Sequence, residues 1–149
     1  MLSQRGPLVM GSDFTSWFKR SVGDWQSYRR YLYGDELSPD LIETSFEMNQ
    51  TGDHNFLLTW GSAISTGEMN FTINGDTLER DRGYYTDDPT TSKMEFIDND
   101  TVVFFTSYGG VDYREEIRLL HDDNIRLRQT IGTKNDKVNV VGQYYEIRL

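Results

Sequence analysis

From residue 24 onward the chain breaks into short runs rich in Val, Ile, Thr, Tyr and Phe, parted by turn residues every eight to twelve positions. That spacing marks an antiparallel sandwich or barrel. Ten runs can be counted, at about 24–33, 41–49, 55–61, 67–74, 77–85, 92–98, 101–108, 112–120, 124–132 and 138–148. Their separators, among them NGD, DND, YGG, HDD and GTKND, supply Gly, Asn, Asp and Pro where a positive or fixed φ is needed. Short loops of nearly uniform length imply an up-and-down meander, which must close or bury both of its edges. The expected architecture is an all-β, ten-stranded antiparallel barrel around a ligand cavity.

Ahead of the strands, DFTSWFKRSV offers Asp13 as an N-cap, with Phe14, Trp17, Phe18 and Val22 at helical spacing. This predicts one short amphipathic helix ended by Gly23. Residues 1–11 lack periodicity and read as a flexible leader, which leaves 12–149 as a single domain. A net charge of -9 argues against a nucleic-acid backbone as partner. With no cysteine, and only His54 and His121, neither a disulfide nor a thiolate or histidine metal site is expected. No run approaches the roughly 20 apolar residues that span a bilayer, so a soluble protein with no membrane partner is expected, and the absence of cysteine fits a reducing compartment, the cytoplasm or a plastid stroma.

The faces of the strands carry the functional signal. In EMNFTI, Met69, Phe71 and Ile73 alternate with Glu68, Asn70 and Thr72, giving one apolar and one polar face. In NIRLRQTI, Arg126, Arg128 and Thr130 point one way and Ile125, Leu127 and Ile131 the other. Registers that keep Ile117 and Leu119 of YREEIRLL beside Leu127 and Ile125, with a loop such as His121 to Asp123, put Glu116 and Arg118 on the arginine face. Glu116 then lies opposite Arg128, or opposite Thr130 with Arg128 diagonal. Such a face is either solvated, with salt bridges worth about 0–1 kcal/mol, or a cavity wall where guanidinium forks clamp carboxylates and a glutamate acts on a proton.

Other candidates divide similarly. Trp25, in GDWQSYR, reads as a core tryptophan after a helix stop. Trp60, in LLTWG, is a core residue or a flat wall for a planar ligand, and Tyr84 and Tyr85 read as sheet packing. TDD and DND lack the spacing of a calcium loop, and neither a Gly-rich phosphate loop nor a Ser-His-Asp order stands out.

The succession VGDWQSYRRYLY, FLLTWG, RGYYTDDPTTSKM, VVFFTSYGGVDYREEIRLL, NIRLRQT and YYEIRL resembles the S-type phycobilin lyases, in order from about residue 14 to the C-terminus. The resemblance implies a calycin-like barrel, similar to lipocalins and fatty-acid-binding proteins. It also implies a function: binding an open-chain tetrapyrrole, such as phycocyanobilin or phycoerythrobilin, and attaching it to a cysteine of a phycobiliprotein α or β subunit. The bilin is then a substrate, and no cofactor is expected. Carried over, Arg126 and Arg128 would pair with bilin propionates or polar ring edges, with Thr130 supplying a hydroxyl. Glu116 would hydrogen-bond or protonate the pyrrolic nitrogens so that the partner's thiolate adds to ring A. Arg29 and Trp60 match family positions as bilin contacts, Trp25 as a structural one, and a homodimer is expected.

Three pairs of residues depart from the family pattern. Gln129 and Thr130 replace a Thr-Ser pair, Tyr144 and Tyr145 replace a small Cys-Ser pair, and Arg30 and Tyr31 lie where a histidine often follows the first tryptophan. The competing functions are a non-catalytic carrier of a bilin or another planar acid, and an interaction protein whose barrel is filled by its own side chains.

Overall fold

The computed structural model describes residues 13–83 and 87–149; the expected leader, and Tyr84 and Tyr85, lie outside the described residues. Helix α1 (Asp13–Lys19) precedes β1 (Gly23–Tyr33), β2 (Asp40–Gly52), β3 (Asn55–Ser62), β4 (Thr66–Asn74) and β5 (Thr77–Arg80). There follow β6 (Thr90–Asp98), β7 (Thr101–Tyr108), β8 (Val111–Leu120), β9 (Ile125–Lys134) and β10 (Lys137–Arg148). Each strand pairs antiparallel with its sequence neighbours, and β1 pairs with β10, so the sheet closes into a ten-stranded barrel as expected. The fifth strand stops at Arg80, short of the expected 77–85. There the carboxylate of Asp81 accepts the Asn70 N–H at 3.0 Å and the Asn70 side-chain amide at 2.8 Å, so a side chain takes over a ladder contact.

Period-2 alternation decides what the barrel holds. Met69, Phe71 and Ile73 point inward, together with Trp25, Phe46, Met48, Phe56, Leu58, Leu78, Met94, Val102, Phe104, Ile117 and Leu119. Tight hairpins set the registers: Gly109 and Gly110 both have positive φ, 62° and 76°, as do Asn135 and Asp136, 51° and 61°.

The β8–β9 hairpin overturns one expectation. Its loop has four residues, with His121, Asp122 and Asp123 at φ 52°, 53° and 65°, so Leu120 pairs with Ile125 and Ile117 with Arg128. One residue beyond the expected three-residue loop changes the parity of every pair. Glu116 therefore faces outward, opposite Gln129, and Arg118 opposite Leu127, while Glu115 joins Thr130, Arg128 and Arg126 inside. The rule that apolar residues of paired strands share a face fails here because Leu127 lies outside, 42% exposed.

α1 plugs one end of the barrel. Trp17 and Phe18 are buried against Phe104 and Phe56, and the Trp17 indole donates to the Asp100 carbonyl at 3.0 Å. The helix begins at Asp13, but the expected cap rests on a side chain outside those described. Arg20 reaches Asp123 and Asp100, both at 2.7 Å. The penultimate residue locks the plug: Arg148 donates to the carbonyls of Val22 (2.7 Å), Arg20 (2.6 Å) and Asp123 (2.9 Å), and its guanidinium lies 4.4 Å from the Trp25 ring centre. Gly23 has φ 132°, and a Cβ there would fall 2.7 Å from the Arg148 Nη1, so conformation and space both require glycine.

Arg148→Ala is expected to lower stability by about 2–4 kcal/mol, because several carbonyls lose a charged donor at once. Urea unfolding checks this, and a change under about 0.5 kcal/mol would mean that α1 is held by its aromatic packing alone.

Candidate functional site

Inside the barrel the apolar base gives way to a layer of charge. Opposite pairs in the ladder place Ser27, Glu146, Arg126 and Leu119 in one row, and Arg29, Tyr144, Arg128 and Ile117 in the next. Arg126 and Arg128, the two arginines of NIRLRQT, are thus inside, buried, and packed beside Glu146 from the closing EIR. Arg126 Nε donates to Glu146 Oε1 at 2.9 Å, Arg128 Nη1 to Oε2 at 3.3 Å, and the Arg29 guanidinium lies 3.7 Å from Oε2. Arg128 Nη2 also donates to Glu115 Oε2 at 2.9 Å, which accepts a further bond from the Thr130 hydroxyl at 3.1 Å.

The two carboxylates differ in access. Glu146 has a side chain 0% exposed, whereas that of Glu115 is 12% exposed and lines the cavity. Burial alone would push the Glu146 carboxyl up, but Arg128, Arg126 and Arg29, with the Ser27 hydroxyl, outweigh it and hold the group below its ordinary 4.5. Glu115 follows the same logic: burial opposes ionisation, and Arg128 and Arg80, with the Arg128 and Thr130 hydrogen bonds, more than offset it. Both are carboxylates at neutral pH. An ionised Glu115 can accept hydrogen bonds but has no proton to donate.

Aromatic faces support the cations. Tyr144 lies under Arg128 at 4.4 Å and Arg29 at 5.2 Å, and Arg126 sits 5.5 Å from the Trp25 ring and 5.4 Å from that of Phe46. The two tyrosines of YYEIRL have separate fates: Tyr144 points inward beside Tyr31, and Tyr145 points outward, 44% exposed.

A cavity of about 380 Å³, within the range of small-molecule sites, is bordered by this layer and reaches from Phe18 of α1 to Trp60. Trp60 forms one wall, opposite Gly67 on β4, where a Cβ would come within 2.4 Å of the indole. The ring lies flat over bare backbone, and the Arg82 guanidinium is 5.8 Å from its centre. Of the expected site residues, Arg29, Trp60, Arg126, Arg128 and Thr130 line this one cavity. Glu116 does not: it borders a groove on the outside of the barrel. Sequence reasoning missed Glu115, Glu146 and Arg80, which lies across the cavity on β5. Glu146 was legible from parity, because it alternates with Tyr144 and Arg148; Glu115 was hidden by the loop length. Among the described residues no cluster of His, Cys, Asp and Glu could hold a metal ion.

Among the described residues, the guanidiniums of Arg29, Arg80, Arg126 and Arg128 face the carboxylates of Glu115 and Glu146, an excess of positive charge in a chain of net charge -9; Arg82, paired with Asp87 at 3.2 Å, lines the same cavity. Such a cavity suits an anionic ligand.

Comparison with known proteins points the same way. The model of the family described as "CpeS-like protein" matches residues 63–149. A Nostoc sp. relative provisionally named phycocyanobilin lyase CpcS 2 is 29% identical over 99% of this chain and 97% of its own length. A Picosynechococcus sp. relative provisionally named chromophore lyase CpcV is 29% identical over 91% of this chain and 81% of its own. The solved S-type phycobiliprotein lyase CPES from Guillardia theta shares the fold, with a TM-score of 0.67, 18% identity and coverage of 92% of this chain and 93% of that one.

Glu146→Gln is expected to destabilise by about 3–5 kcal/mol, since it strands buried guanidiniums. Because the folded-state pKa values of Glu115 and Glu146 are depressed, their contribution is complete above 4.5 and is lost as pH falls through the folded values. Acid unfolding of the wild type should therefore steepen below that pH, and Glu146→Gln should flatten the acid limb. An unchanged limb would remove Glu146 from the balance.

Proposed function

The chain belongs to the CpeS-like family, and from that premise we propose that it is a phycobilin lyase: it binds an open-chain tetrapyrrole and delivers it to a cysteine of a phycobiliprotein subunit. The observation that carries this reading is Glu115, an ionised carboxylate held by Arg128 and Thr130 at the cavity surface. It accepts hydrogen bonds from the pyrrolic nitrogens and stabilises the protonated, cationic tetrapyrrole, while Trp60 supplies a flat wall. Protonation draws electron density from the conjugated system and makes the ring A ethylidene electrophilic. The partner's thiolate adds there, forming a C–S bond as the double-bond electrons shift into the ring, and the extra proton carried by the cationic tetrapyrrole passes to the adjacent ring carbon, leaving a neutral adduct. The addition needs no oxidant or reductant.

Arg126 and Arg128 act chiefly by holding the carboxylates ionised and keeping the cavity positive; Thr130 orients Glu115. Glu116, outside the cavity, has no part in this chemistry. Mixing the protein with phycocyanobilin and with phycoerythrobilin should shift the visible spectrum of at least one. Adding an apo-phycobiliprotein subunit should then yield a coloured adduct that survives denaturation. Binding without an adduct on any α or β subunit would leave a carrier and contradict the lyase; no shift with either bilin would contradict both.

The outer wall supports a homodimer. One ladder row runs Glu43, Tyr28, Tyr145, Leu127, Arg118 across five strands, an apolar centre with a carboxylate at one end and a guanidinium at the other. A two-fold axis through its middle sets Glu43 against Arg118 of a second copy at both ends and covers Tyr28 and Tyr145, each 44% exposed. Leu127→Glu is expected to give monomers in sedimentation velocity at concentrations where the wild type is dimeric; a monomeric wild type would contradict this.

A further inference from the structure

Trp60 has a counterpart on the opposite side of the barrel. In an up-and-down barrel whose first strand starts at α1, the β3–β4 and β7–β8 turns fall at the end away from the helix. Trp60, near the end of β3, therefore stands at the same level as Tyr108 and Tyr113, which flank the Gly109–Gly110 turn. In the closed ring β8 lies five strands from β3 in either direction, so Tyr113 is set across the interior from Trp60. Trp60, Tyr108 and Tyr113 all line the one cavity.

The two walls are built alike. Trp60 pairs with Gly67, and Tyr113 pairs with Gly132, each an aromatic residue beside a glycine of the neighbouring strand. A Cβ at Gly67 would lie 2.4 Å from the indole, and one at Gly132 would lie 3.1 Å from the Tyr113 ring. A side chain at either glycine would crowd the ring out of its place, so bare backbone is what lets each aromatic lie where it does. Tyr108 then stacks on Tyr113, with ring centres 4.9 Å apart and planes 27° from parallel, and both stay half-buried. Tyr113 also shares the inner face of β8 with Glu115, two residues further along the strand. A flat ring resting on the tyrosine pair directs an edge toward that carboxylate.

We propose that Tyr108 and Tyr113 form a second aromatic wall, which takes the face of the pyrrole ring whose N–H Glu115 accepts, while Trp60 takes another part of the tetrapyrrole across the cavity. This rests on the bilin reading of the site and adds to it what selects the ligand. Two fixed aromatic faces on opposite walls bind an extended conjugated chromophore and impose one sense of twist on it. In solution an open-chain tetrapyrrole interconverts between left- and right-handed twists, so the handedness of the bound form reports on the walls.

The test measures phycocyanobilin affinity by absorbance titration, and the induced visible circular dichroism of the bound pigment, for wild type, Tyr113→Phe, Tyr113→Leu and Tyr108→Leu. Far-ultraviolet circular dichroism checks the fold. Tyr113→Phe keeps the ring and is expected to bind within about twofold of wild type with the same induced band. Tyr113→Leu and Tyr108→Leu keep an apolar side chain without a ring. Each is expected to weaken binding about five- to tenfold, as for loss of a stacked aromatic contact, and to lower the induced band by more than about half. Equal losses in Tyr113→Phe and Tyr113→Leu would assign the effect to the hydroxyl, and unchanged leucine variants would leave the pair as packing; either overturns the wall while leaving bilin binding in place. A wild type that binds no bilin overturns the parent reading and the wall together. If Tyr113→Leu does not fold, Tyr108→Leu decides by the same two readouts.

Discussion

Glu146 is the residue on which the interior depends. A carboxylate with no exposed surface is tolerable only if its charge is met, and Arg126, Arg128 and Arg29 from β9 and β1 meet it. Those arginines in turn need aromatic faces and a second carboxylate, which Tyr144, Trp25 and Glu115 supply. The network ties β1, β8, β9 and β10 together through their inner faces. It also sets the working surface, because Arg128 bridges the inaccessible carboxylate and the accessible one.

The barrel is divided along its axis by chemistry. At the α1 end, aromatic and aliphatic side chains fill the space, and Arg148 and Arg20 fasten the helix to three hairpin turns or strand ends. The middle holds ionised groups, of which Glu146 has no exposed surface and Glu115 keeps a small part exposed. Toward the open end, Trp60 and the hydroxyls of β6 and β7 border the cavity. A planar acid entering there meets a flat indole, hydroxyl donors and, deeper, one exposed carboxylate edge. Such a division lets a small domain bury charge without losing its apolar core.

Much of this was legible in the sequence. Turn chemistry located ten strands within a residue or two at most ends; alternation in EMNFTI picked out its apolar face, and in NIRLRQTI it grouped Arg126, Arg128 and Thr130 on one face while leaving open whether that face was solvated or inward. The failure was local: HDDN closes as a four-residue loop, and its last letter decided whether Glu115 or Glu116 enters the barrel. Hydrophobic pairing suggested the wrong parity because Leu127 belongs to an outer apolar row with Tyr28 and Tyr145, so both faces of β9 carry meaning. Glu146 was legible as inward from its alternation with Tyr144, but its role as a counterion needed the register of the β9–β10 hairpin, which sets it opposite Arg126. Arg80 and Glu115 are far apart in sequence, and their relation arises from the curvature of the sheet that brings β5 and β8 around one cavity.

The most direct test of the account compares Glu115→Gln with Glu116→Gln by the absorption spectrum of bound phycocyanobilin near neutral pH. If Glu115 holds the protonated tetrapyrrole, Glu115→Gln loses the red-shifted band of the protonated chromophore while Glu116→Gln keeps the wild-type spectrum. A Glu115→Gln spectrum identical to wild type, or a band lost only in Glu116→Gln, would contradict it.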